Sequence, residues 1–91
     1  MNSGLKIWHT SDWHLGKKFY GEDLYEEQKE WIHWLESKIL AEKPEVLLIC
    51  GDIFDSPRPA TWAMKLFWSF LANLKAQTQT KVLCIGGNHD S

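Results

Sequence analysis

The chain has 91 residues, room for one small domain and no more. Hydrophobic residues make up 44% and charged residues 24%, which excludes a disordered polymer. The net charge of -2 sets up no basic field, so composition argues neither for nor against nucleic acid. No apolar run is long enough to span a membrane, and the N-terminus lacks a signal-peptide core. Two cysteines without repeated spacing point to a reducing, cytoplasmic compartment. Both read as small core residues, Cys50 closing a strand and Cys84 inside one.

Leu5 to Thr10 reads as the first strand, with His9 packed within it, and Ser11 to Gly21 as a loop. Asp23 followed by Glu26 has the spacing of an N-cap and its capping-box partner. The helix they open carries Leu24, Trp31, Leu35 and Ile39 on one face, with Gln28 filling one turn. Glu27, Lys29, Glu30, Glu36 and Lys38 mark its solvated side. Lys43-Pro44 ends it, because proline disfavours the α region for the residue before it.

Val46 to Cys50 is a second, buried strand, followed by a turn over Gly51 to Asp55. Ser56-Pro57-Arg58-Pro59 breaks the chain before a second helix, whose stripe is Ala63, Leu66, Phe67, Phe70, Leu71 and Leu74. Trp31, Trp34, Trp62 and Trp68 all sit in helical patterns, where packing is expected. Lys81 to Ile85 is a third strand. The order β-α-β-α-β with short links predicts an α/β fold with a parallel sheet.

Each strand exit carries oxygen or nitrogen donors, where open α/β sheets place their ligands. Asp12 and His14 are two apart and share one side of an extended chain, so one peptide offers a carboxylate and an imidazole. Asp52 follows the central strand, and its two oxygens suit a bridge between two cations. Asn88 adds a neutral amide oxygen, and His89 beside it diverges, toward a substrate. The gaps from Asp12 to Asp52 and from Asp52 to Asn88 are each the size of a βα unit, so the three exits are expected to converge. Taken singly, each residue has a plain reading: Asp12 and Asp55 as turn or helix caps, His14 as a loop histidine.

Asp12-Trp13-His14, Gly51-Asp52-Ile53-Phe54-Asp55 and Gly87-Asn88-His89-Asp90 resemble the first three motifs of the calcineurin-like metallophosphoesterases. With their flanks, from His9 to Gly16 above all, they are similar to the DNA nucleases of that superfamily. The resemblance covers essentially the whole chain. It implies a β-α-β-α-β half of an αββα sandwich. It implies two divalent ions, most readily Mn²⁺, with Asp12 and His14 on the first, Asp52 bridging and Asn88 on the second. His89 is implied as the general acid, or as the group that stabilises the phosphorane and leaving oxygen. Asp55 is implied as the partner that orients His89, with Asp90 competing for that place.

The resemblance further implies phosphodiester hydrolysis in DNA during break processing, recombination and replication, in a dimer with an ATPase partner. Such relatives also carry a later histidine and a Gly-His-x-His motif, and this chain ends before either. Residues 1–91 are therefore expected to be the N-terminal portion of a longer enzyme, with one sheet face uncovered. Among the remaining histidines, His33 on the first helix is expected near solvent. Lys17 and Lys18 read equally well as phosphate contacts and as solvated loop residues. Two other readings stay open: a phosphoesterase for a small ester, and a module that keeps the fold without turnover.

Overall fold

The computed structural model describes residues 5–86. The elements are β1 (Ile7–Ser11), β2 (Lys18–Phe19), β3 (Glu22–Asp23), α1 (Tyr25–Glu42), β4 (Val46–Gly51), α2 (Thr61–Gln77) and β5 (Lys81–Gly86). The three long strands form one parallel sheet in the order β1-β4-β5, so the strand leading to Asp52 is central, as expected. The register aligns Ser11 with Cys50 and Gly51 with Gly86. All three strands therefore exit at one level, and this alignment positions the site.

Both helices pack on one face of the sheet. The buried residues Ile32, Leu35 and Ile39 of α1, Ala63, Phe67, Phe70 and Leu74 of α2, and Leu47 and Ile49 of β4 belong to one cluster. Trp8 and Val82 pack against it from the flanking strands. The α2 stripe is as the spacing predicts. That of α1 is rotated: Ile32 is buried, while Leu24 and Trp31 are half-buried. The α1 terminus is also as expected. Lys43 takes a left-handed conformation, its N–H donates to the Ile39 carbonyl at 2.8 Å, and Pro44 follows.

The opposite face of the sheet is open, also as expected. Ile7, Leu83 and Ile85 are half or more exposed. His9 shares that face and is exposed, not packed, because both described helices lie over the other face. Cys84 is exposed on the edge strand β5 and Cys50 is half-buried, so neither is a core residue. Trp34 and Trp68 are exposed as well, since each points off the buried stripe of its helix.

Two local expectations are corrected. The stretch before α1 is not all loop: β2 and β3 form an antiparallel hairpin that pairs Lys18 with Asp23 and Phe19 with Glu22. Its turn is Tyr20-Gly21, both with positive φ (52° and 79°), the turn geometry that matches the twist of paired strands. Asp23 is consumed by that ladder, so it does not cap α1. The N-cap is Leu24, with no side-chain cap hydrogen bond, and its carbonyl accepts the Gln28 N–H at 2.9 Å.

Candidate metal centre

The site is built where β1 and β4 end side by side. Beyond the strands their main chains stay joined. Asp12 N–H donates to the Cys50 carbonyl at 3.0 Å, His14 N–H to Asp52 at 3.2 Å, and Leu15 N–H to Ile53 at 2.8 Å. Asp55 N–H returns to the Leu15 carbonyl at 2.9 Å. Residues 12–15 and 50–55 are thus one laced unit, and Asp12, His14, Asp52 and Asp55 all belong to it.

Trp13 is the anchor of this unit. Its ring is buried and stands edge-on to Trp31, Phe67 and Phe70, with centroids 4.9, 5.9 and 5.3 Å away. Its Nε1–H donates to Thr10 Oγ1 at 3.1 Å. With Trp13 pinned in the core, its neighbours Asp12 and His14 are left outside it; Asp12 is exposed and His14 half-buried.

The backbone here is strained. Asp12 and His14 have φ of 55° and 49°, a region that costs a residue with a Cβ roughly 1–3 kcal/mol. Such conformations persist only where surrounding bonds over-determine them, as the lacing does. Gly51 also has positive φ (81°), and a Cβ on it would collide with the Asp12 carboxylate. The left-handed backbone at this junction therefore favours glycine.

The Asp52 carboxylate stands out chemically. Its Oδ1 is buried and has no hydrogen-bond partner among the described residues. An unsatisfied buried acceptor costs roughly 1–3 kcal/mol, and more when charged, so a cation is the natural complement. Asp12 and His14 beside it are hard and borderline donors of the kind such a cation takes.

His14 currently faces another partner: its Nδ1 lies 3.3 Å from Asp55 Oδ1, in a pair whose side chains are 36% and 40% exposed. Among the described residues no three His, Cys, Asp or Glu side chains are gathered closely enough to hold a metal ion. Asn88, His89 and Asp90 lie outside the described residues.

One residue of this region escapes a reading by pattern. Gln28, on the core-facing stripe of α1, reaches the site loop with both ends of its amide. Its Oε1 accepts from Gly16 N–H at 3.0 Å, and its Nε2 donates to the His14 carbonyl at 3.1 Å. The signal in the sequence is a polar residue on an otherwise apolar stripe.

Residues 5–91 match the family described as calcineurin-like phosphoesterase. The chain belongs to the calcineurin-like phosphoesterase family. Over 87 residues it is 36% identical to SbcD of the nuclease SbcCD from Escherichia coli (strain K12) and, to the same degree, from Escherichia coli O157:H7. The match covers 96% of this chain and 22% of each relative, so the chain spans only that share of the curated relatives' length. Membership in this phosphoesterase family implies divalent metal ions. The buried oxygen of Asp52, without a partner among the described residues and joined through the main chain to the segment of Asp12 and His14, fits that implication.

Proposed function

We propose that this chain is part of a metal-dependent DNA nuclease similar to SbcD, in which residues 1–91 form one portion of a larger phosphodiesterase domain. The single observation that carries the reading is the buried Oδ1 of Asp52, without a hydrogen-bond partner among the described residues and laced through its main chain to His14. Asp12, His14, Asp52 and Asn88 would hold two divalent ions, with Mn²⁺ the favoured identity. When bound, such ions supply positive charge against the phosphate and activate water.

The chain's own residues do the rest. The strand-end lacing holds the donors in register. His89 would give a proton to the departing sugar oxygen or stabilise the phosphorane, with Asp55 as the residue that orients it and Asp90 as the competing partner. Lys17 and Lys18, both exposed at the start of the hairpin, contact backbone phosphates. The exposed rings of Phe19 and Tyr20, 4.5 Å apart at the hairpin tip, extend that surface with groups suited to bases. The partner is an SbcC-type ATPase, the full-length assembly is dimeric, and the compartment is the cytoplasm. Among the described residues no helix is long and apolar enough to cross a membrane. The roles of the whole protein are break processing, recombination and replication.

The test is hydrolysis of end-labelled duplex DNA and of bis-p-nitrophenyl phosphate by the full chain with Mn²⁺. Cleavage of duplex that stops with chelator and with Asp52→Asn is the expected result. Cleavage indifferent to both overturns it. Turnover of the small ester alone makes the protein a small-ester phosphoesterase. Mn²⁺ binding without turnover of either makes it a non-catalytic module.

A further inference from the structure

Gln28 stands about one helical turn into α1, and yet its side chain is spent on the loop that carries His14. His14 has φ of 49°, so its ring direction depends on what holds its peptide units. On the amino side, its N–H is held by the Asp52 carbonyl at 3.2 Å. On the carboxyl side, its carbonyl is held by Gln28 Nε2 at 3.1 Å and by Lys17 N–H at 3.2 Å. The other end of the same amide takes Gly16 N–H at 3.0 Å. One planar group therefore closes a two-bond ring on the peptide segment 14–16, as a neighbouring strand would. Only an amide does this, because one partner is an acceptor and the other a donor.

We infer that Gln28 is a positioning residue for the metal site: its amide locks the left-handed backbone of His14 and so aims the imidazole. The inference rests on the metal-dependent reading of the site. It makes α1 a structural extension of the centre, reaching the ligand through the main chain instead of through the ring.

Two variants separate positioning from simple tethering. Gln28→Met fills the same space with no hydrogen bonds. Gln28→Glu keeps the acceptor for Gly16 but turns an acceptor toward the His14 carbonyl. Lys38→Met, on the exposed side of α1, is the control. In metal-free full chain, both Gln28 variants are expected to shift the His14 ring resonances in ¹H–¹⁵N spectra, with the control unchanged. Mn²⁺ binding read by electron paramagnetic resonance is expected to weaken by about tenfold or more in both, the scale seen for partners that orient ligands. A merely tethering glutamine lowers the unfolding temperature without moving either readout.

Unchanged ring resonances in both variants overturn the proposal, whatever the metal does. Shifted resonances with unchanged Mn²⁺ affinity overturn it too. If Gln28→Met does not fold, Gln28→Glu decides alone. Failure of the unsubstituted chain to bind Mn²⁺ sinks the metal reading instead, and the metal-free resonances then decide whether Gln28 aims His14.

Discussion

The main-chain N–H of His14 donates to the carbonyl of Asp52 at 3.2 Å. Two candidate ligands from distant parts of the chain are therefore fastened at their backbones before any side chain is shared. Their relative position is a property of the parallel β1–β4 pairing, continued past the strand ends by the Leu15–Phe54 bridge. Side chains can turn within this frame, as His14 does toward Asp55, without the frame changing.

Asp52→Asn separates stability from binding. In metal-free protein it replaces a buried carboxylate oxygen that has no partner among the described residues by a neutral amide, so stability is expected to hold or to rise by up to about 1 kcal/mol. Thermal unfolding with excess Mn²⁺ is the second half of the measurement. The unsubstituted chain gains stability from the ion by mass action, and the variant is expected to lose most of that gain. An equal Mn²⁺-dependent rise in both proteins removes Asp52 from the site.

Gly51→Ala is expected to destabilise by roughly 1–2 kcal/mol, the cost of holding an L-residue at the left-handed φ of 81°, with the exposed Asp12 carboxylate turning aside from the added Cβ. Urea unfolding of the metal-free chain checks it. Gly21→Ala is the comparison, since its φ is also positive (79°) but nothing among the described residues lies within 4 Å of an added Cβ. A smaller loss at Gly21 than at Gly51 isolates the contact with Asp12.

Trp13→Ala removes a buried ring with three aromatic neighbours, for an expected loss of roughly 3–5 kcal/mol. Trp13→Phe keeps much of the packing but loses the bond to Thr10 Oγ1, and is expected to cost less. Because Trp13 sits between Asp12 and His14, Phe at this position should lower Mn²⁺ affinity in proportion to its loss of stability. Calorimetry paired with metal titration reads both.

Lys17→Ala together with Lys18→Ala tests the hairpin as a phosphate contact. Both side chains are exposed, so folding stability should hardly change. Duplex affinity at low salt is expected to fall, and the slope of log K against log salt to flatten by about 1.8 for two lost phosphate contacts. An unchanged slope assigns both lysines to ordinary solvated surface.

Much of this protein was legible from its order of residues, for reasons that are local. Strand and helix alternate because their apolar periods differ, and Pro44 stops α1 because it restricts Lys43. The stripe from Ala63 to Leu74 repeats at helical spacing and is buried on that account. The exits carrying Asp12 and Asp52 could be expected side by side because a parallel sheet brings its strand ends to one edge.

What tertiary contact alone decided concerns which face is covered and who meets whom. His9 is strand-borne yet faces outward, because the helices cover the other side of the sheet, and Trp34 and Trp68 are exposed because each points off the buried stripe of its helix. Asp23 has the composition of a cap but is paired across a hairpin with Lys18. Gln28 looks like a gap in a stripe and instead holds His14. Periodicity reports which side of an element is apolar; the partner of a given atom depends on segments far along the chain, and no local pattern contains that information.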